Sequence, residues 1–211
     1  MAGDDVLERS WQRAWPALAA AGDGSAVRDA LLAAYREPDR HYHTLQHLHE
    51  CIECLAACGD LAQRPAEVEI ALWFHDAVHD VHRHDNERRS ADRARAALAA
   101  AGVSADVVAR IDALVMATRH ATATPSAADE QLLVDIDLAI LGADAARFAE
   151  YQTQIRREYA HVPAAEFRAR RSAVLASFLA RDPIYRTPRL RDALEARART
   201  NLALAIAENV G

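Results

Sequence analysis

The sequence predicts an all-α protein, and three observations support this prediction. Apolar residues recur three and four positions apart through most of the chain, which is the spacing that lines one face of a helix. Alanine is abundant, whereas the 211 residues include only seven glycines and seven prolines, so helix formers far outnumber helix breakers. No segment shows the alternation or the hairpin turns of a β-sheet. We therefore expect helices throughout.

The predicted helices follow one another with short breaks. The first carries Leu7 to Leu18, although Pro16 should kink it, and the second carries Val27 to Tyr35. A third begins at about Thr44, and a fourth begins at Pro65 and carries the adjacent His75 and Asp76. Further helical stretches are predicted at about 88–101, 104–119, 128–142, 144–160, 164–180 and 188–209.

Size and charge narrow the class of protein. A chain of 211 residues with 51% hydrophobic residues can bury one core, so we predict a single domain. A formal net charge of -6 argues against nucleic acid as a partner, because phosphate contacts need clustered lysine and arginine. The acidic first residues lack an apolar segment, and no window approaches a membrane span. We expect no membrane association and a cytoplasmic location.

The three cysteines, Cys51, Cys54 and Cys58, follow a helical spacing that places them on one face. A zinc or iron-sulfur site is one interpretation. Thiolate ligands of that kind usually come from a CxxC turn with a fourth partner, so a helix face of small residues is the favoured interpretation.

Histidines are concentrated in one part of the chain. Eight of the ten lie between residues 41 and 84, namely His41, His43, His47, His49, His75, His79, His82 and His84. Further along, Asp135 and Asp137 interrupt the strongly apolar segment Leu132 to Leu141. Buried carboxylates need a compensating partner, and imidazole with carboxylate suits Mn, Fe, Co, Ni, Zn or Mg. The pattern predicts a metal site that holds one or two ions.

The order of these residues resembles the HD-domain superfamily of metal-dependent phosphohydrolases, and within it a small predicted phosphohydrolase family that covers nearly the whole chain. The segments that carry the resemblance are Tyr42-His43-Thr44-Leu45, Trp73-Phe74-His75-Asp76-Ala77-Val78, Asn86-Glu87, Thr118-Arg119-His120 and Asp135-Ile136-Asp137-Leu138. Each is short, but their order and separations agree with the family. The resemblance implies an HD-type core at about 38–142, with helices at 1–36 and 144–209 around it.

The resemblance also implies a ligand set and a reaction. His43, His75, Asp76 and Asp137 would bind the metal, and His120 would be an additional ligand. The activity implied is hydrolysis of a phosphoester by a metal-activated water, with a small phosphorylated metabolite, in particular a nucleotide, as the substrate. Asp80 resembles the acidic residue that assists the water, and it lies four residues after Asp76, on the same face if the helix continues.

Several assignments stay open at this point. His47 lies one helical turn after His43, so the two are rivals for the first ligand position; we favour His43, with His47 beside the site. Either Asp135 or Asp137 could be the last ligand. Glu87 could reach the site. Arg119 could hold a phosphate, since guanidinium groups match phosphate oxygens. The oligomeric state and the identity of the metal are not determined.

Two other functions compete with hydrolysis. Some HD-fold proteins hold two irons and activate dioxygen, and the extra histidines agree with that chemistry. The second competitor is a non-catalytic nucleotide-binding helical module, in which the histidines and aspartates form only a buried polar network. Metal content and metal-dependent stability separate the hydrolase and the oxygenase, which both need metal, from the non-catalytic module.

Overall fold

The computed structural model describes the backbone of residues 2–119 and 127–210 and the side chains of residues 5–119 and 127–209. Over these residues the protein is all-α, which confirms the predicted fold class. The α-helices are α1 (Ala2–Ala17), α2 (Ser25–Ala34), α3 (Leu45–Cys58), α4 (Pro65–Phe74), α5 (Asn86–Ala100), α6 (Ala105–Ala117), α7 (Ala128–Asp137), α8 (Ala145–Glu158), α9 (Ala164–Leu179) and α10 (Pro188–Val210). Short 3₁₀ turns at Gly59–Leu61 and Leu138–Gly142 follow α3 and α7.

The helices group into two compact units, Met1–Val134 and Asp135–Gly211, and the division falls within α7. The single domain with a core at about 38–142 stays a prediction. In the part of the chain that the structure describes, none of the helices combines the length and the apolar character that a membrane crossing requires.

Helix α4 is the centre of the N-terminal unit. It starts with Pro65 in its first turn, where a missing N–H has no cost. Its residues from Glu67 to Phe74 are all buried, because α1, α3, α5 and α6 all pack against it. A helix that is apolar on all sides is stable only in such a position. Burying a side chain the size of Leu72 contributes about 1.5–3 kcal/mol.

Polar contacts fix the rotation of α4 within this unit. Glu67 accepts two hydrogen bonds from Arg110 of α6, both at 2.7 Å, and Glu69 pairs with Arg13 of α1. The indole N–H of Trp73 donates to the Ser10 hydroxyl at 3.0 Å. These partners satisfy the polar groups on an otherwise apolar helix, so burial leaves them paired.

The C-terminal unit is held by contacts of α10. Asn201 donates from Nδ2 to the carbonyls of Leu141 and Ala143, at 2.9 and 3.0 Å. Gly142 lies so close to Leu194 that a Cβ on it would come within 2.7 Å of the Leu194 Cβ. A glycine is therefore required for this close approach of the 3₁₀ turn to α10.

Candidate metal centre

Helix α3 presents His47 to the interior of the N-terminal unit. The helix begins at Leu45, and its N-cap is Thr44, whose hydroxyl accepts the Gln46 N–H at 3.3 Å. His43 therefore lies just before the helix, whereas His47 lies within its first turn and is buried. Cys51, four residues further on, is buried on the same face.

Helix α4 ends at Phe74, with His75 as its C-cap. The sequence predicted that α4 would carry His75 and Asp76, and the structure ends it just before them. The Ala77 N–H donates to the Phe74 carbonyl at 3.0 Å, which closes a tight turn. The guanidinium group of the buried Arg40 donates hydrogen bonds to the carbonyls of Asp76 and Ala77, at 2.5 and 3.3 Å. The backbone after His75 is thus satisfied by a side chain instead of by another helical turn.

Three donor atoms meet where α3 and the end of α4 come together. The Nε2 atoms of His47 and His75 lie 3.0 Å apart. Asp76 Oδ2 lies 3.0 Å from His75 Nε2 and 3.4 Å from His47 Nε2. Donor atoms bound about 2.0–2.1 Å from one ion lie about 2.8–3.4 Å from one another at octahedral to tetrahedral angles. The triangle has the dimensions of a metal site.

The protonation of His75 supports this interpretation. Its Nδ1 lies 2.7 Å from the Leu72 carbonyl, a contact that assigns the Nδ1 proton as donor. In a neutral ring the lone pair of Nε2 then points at Asp76 and His47, and a carbonyl bonded to the other nitrogen is the usual partner of a metal-binding histidine. If His47 Nε2 carries a proton, it can donate that proton to His75 Nε2 or to Asp76 Oδ2, but not to both. A divalent cation would satisfy all three atoms at once.

The electrostatics keep Asp76 ionised. Burial has the largest effect on its pKa and raises it, but the electrostatic effects of the His75 and His43 imidazoles and the hydrogen bonds of His47 and His75 outweigh burial, so the pKa lies well below its ordinary value. Burial also raises the pKa of Tyr35, which interacts electrostatically with His75 and Asp76, to about 12. Its hydroxyl is therefore protonated at neutral pH, and it donates to the Trp73 carbonyl at 3.3 Å.

Cys51 adds a fourth possible donor. Its Sγ lies 3.8 Å from both ring nitrogens of His47, and one donor atom from each of His47, Cys51 and His75 lies within 4.8 Å of the others. These contacts confirm only that a buried group able to hold a metal ion is present.

His43 and His79 form a second pair of imidazoles. Their rings stack with centroids 4.0 Å apart, and His43 acts on Asp76 through its charge. Because α4 ends at Phe74, His79 and Asp80 are not one helical turn above His75 and Asp76, as the i+4 spacing required. Asp80 instead accepts the His82 N–H on Oδ1 at 2.9 Å, while Asn86 bonds to its backbone.

The structure describes most of the other predicted site residues on the helices that carry them. Glu87 is in the first turn of α5 and partly buried, and Arg119 is exposed just after α6. His120 lies outside the described residues. Asp137 ends α7 and is partly buried, whereas Asp135 is fully buried and accepts the Thr187 N–H at 2.5 Å. That bond gives the Asp135 carboxylate a structural partner, and the ligand role of Asp137 stays a prediction.

Sequence reasoning missed two residues at the centre. The cysteine spacing favours a helix face of small residues, although the position of Cys51 four residues after His47 is a usable signal. Arg40 carried no signal, because a single arginine before a histidine-rich segment usually faces solvent. Only its burial and its three backbone carbonyl partners reveal a role.

Comparisons of the chain with family models, curated proteins and solved structures find no match. The HD-superfamily assignment therefore stays a prediction from the motifs, and the geometry of the centre stands independently of it.

Proposed function

We propose that His47, His75 and Asp76 bind a divalent transition metal ion and that the protein hydrolyses a phosphoester of a nucleotide or a similar small metabolite. The observation that carries the metal site is the triangle of donor atoms with sides of 3.0, 3.0 and 3.4 Å. The choice of phosphoester hydrolysis rests on the motif resemblance. That resemblance adds Asp137 and His120 as ligands, and both stay predictions of the sequence.

The proposed ligand set replaces His43 with His47 in the first position. His47 contacts both other donors directly, whereas the ring of His43 stacks on His79 and its charge acts on Asp76. We therefore place His43 and His79 around the substrate or a second ion. Two imidazoles at this position suit the binding of an anionic phosphate.

The residues of the chain supply position and charge. A bound divalent ion would activate water and neutralise charge on a phosphoryl oxygen. The Leu72 carbonyl holds the ring of His75, and Arg40 holds the backbone of Asp76. The role of Asp80 as the base that assists the water rests on the motif resemblance alone, and in the structure its Oδ1 accepts the His82 N–H.

The test is a screen of nucleotides and other phosphoesters after chelation and reloading with Mn, Mg, Co, Ni, Fe or Zn. We expect metal-dependent release of phosphate or nucleoside, and a loss of at least about 100-fold in His75→Ala and in Asp76→Ala. His82→Ala, in an exposed position, is the control and should keep full activity. If no metal binds to the purified protein, both the metal site and the hydrolase are excluded, and a non-catalytic helical module remains.

An iron-dependent oxygenase is the second candidate. The additional imidazoles of His43 and His79, stacked at 4.0 Å, favour it because di-iron centres use several histidines. The same reloading experiment separates the two. Oxygen uptake by the iron-loaded protein, without phosphate release from any substrate, would support the oxygenase.

A further inference from the structure

We propose that Cys51 binds the metal ion as a thiolate beside His47 and His75, and that this sulfur makes the site selective for a thiophilic divalent cation such as Zn²⁺, Co²⁺ or Fe²⁺. The inference rests on the proposed metal site and extends it to the class of metal. Neither the histidine-aspartate pattern nor the motif resemblance assigns a role to this cysteine.

The position of Cys51 follows from helix geometry. It lies four residues after His47, so both side chains project from the same face of α3 toward the end of α4. Both are almost completely shielded from solvent, with 2% of their surface exposed. The sulfur therefore faces the imidazoles in a place that bulk water does not reach.

The distances agree with a shared ion. A nitrogen and a sulfur bound about 2.05 and 2.3 Å from a tetrahedral ion lie about 3.5 Å from each other. The Cys51 Sγ lies 3.8 Å from His47 Nε2, close to this separation, and also 3.8 Å from Nδ1, so the thiol must turn toward Nε2 when the ion binds. His75 offers its nitrogen within 4.8 Å of the same donors.

The neighbouring cysteines provide a contrast on the same helix. Cys58 donates its S–H to the Cys54 carbonyl at 3.0 Å, one turn earlier, which is a local structural bond. The polar neighbours of the Cys51 sulfur are instead the ring nitrogens of His47. Cys54 is only partly buried and does not belong to the group that could hold a metal.

The chemistry of sulfur explains the selectivity. When the thiol binds as a thiolate, its proton passes to the buffer and no electrons are transferred. Soft thiolate ligands favour Zn²⁺ and similar ions, whereas Mg²⁺ prefers oxygen and keeps most of its water. Replacing the sulfur should therefore weaken Zn²⁺ or Co²⁺ binding by about tenfold or more, and it should leave Mg²⁺ binding unchanged.

The experiment is a Co²⁺ titration of the reduced, metal-free protein without oxygen, with Cys51→Ser and with Cys54→Ser as the matched control. Visible d–d bands report that Co²⁺ is bound, and a near-ultraviolet sulfur-to-cobalt charge-transfer band reports a thiolate ligand. We expect both bands in the wild type and in Cys54→Ser, and only the d–d bands in Cys51→Ser.

The spectrum of the wild type alone can overturn the inference, whatever the folding of a variant, and Cys51→Ser then assigns the thiolate to this residue. Visible bands without a charge-transfer band would overturn the role of Cys51 and leave the metal site standing. A charge-transfer band that persists in Cys51→Ser would also overturn the role. The absence of all bands would overturn both the metal site and this inference.

Discussion

The Nε2 atoms of His47 and His75 lie 3.0 Å apart, although 28 positions separate the two residues in the sequence. One belongs to the first turn of α3, and the other caps α4. Two buried imidazole nitrogens this close must share a proton or a cation, because two lone pairs facing each other repel. The ionised carboxylate of Asp76 beside them favours the cation.

The first prediction separates His47 from its rivals by thermal stability. With Zn²⁺ at 100 times its Kd, the wild type should be stabilised by about 2.7 kcal/mol. His47→Ala should lose most of this gain, because one ligand is removed. His49→Ala is the matched control: His49 lies on the same helix, is partly exposed and pairs with Glu53 at 3.4 Å. A full gain in His47→Ala combined with a loss in His43→Ala would identify His43 as the ligand.

The second prediction concerns Arg40. Replacing it with methionine keeps the bulk but removes this donor from the Asp76 carbonyl, whereas the Ala77 carbonyl keeps its bond from Arg93, so the free energy of unfolding should fall by about 1–3 kcal/mol. Metal affinity should fall by about tenfold, since the backbone of a ligand is no longer held. Urea denaturation and a metal titration measure the two effects. The control is Arg9→Met, at an exposed pair with Asp5, which should change neither the stability nor the metal affinity. Unchanged stability in Arg40→Met would contradict the role of Arg40 in holding the backbone of Asp76.

The third prediction tests the packing of the turn before α2. Gly24 has φ +64°, and a Cβ there would come within 2.5 Å of the Trp15 ring. Gly24→Ala should therefore destabilise the protein by about 1–3 kcal/mol, from backbone strain and from overlap. Gly22 has φ +70° but open space around it, so Gly22→Ala isolates the strain. Equal free energies of unfolding for the two variants would show that Trp15 does not constrain the turn.

The fourth prediction is a pH dependence of stability at Asp112. Burial has the largest effect on its pKa and raises it, but hydrogen bonds and charges from Arg88 and Arg95 outweigh burial, so the folded pKa is lowered. The stabilisation is therefore present above the unfolded pKa of about 3.9 and is lost as the pH falls through the folded value. These ion pairs join α5, which carries Arg88 and Arg95, to α6, which carries Asp112.

Asp112→Asn should lower the free energy of unfolding at pH 7 by about 0.5–1 kcal/mol, a small value because solvent screens the partly exposed arginines. The difference from the wild type should vanish in acid. Asp92→Asn, which is more exposed and contacts the same arginines, serves as the control. A difference that grows toward low pH would contradict the assignment.

The sequence by itself determined the helices and the pair at the end of α4. The helices after α4 begin and end within a few residues of the predicted bounds, because apolar periodicity acts over a few neighbouring residues, and Thr44 and Pro65 mark the starts of α3 and α4 in the same local way. The cluster of histidines and the motif resemblance singled out His75 and Asp76. These signals did not predict the end of α4 at Phe74, where the carbonyls of Asp76 and Ala77 accept hydrogen bonds from Arg40, more than thirty residues earlier in the chain.

Only the tertiary structure decided which donors meet. His43 and His47 are equivalent in a periodic pattern, and the choice between them depends on where α3 starts and which face it turns toward α4. The same rotation brings Cys51 to His47 and turns a small buried residue into a potential ligand. The contacts of His47 with His75 and Asp76 join residues far apart in the chain, so their geometry follows from the packing of whole helices and not from the spacing of residues in the sequence.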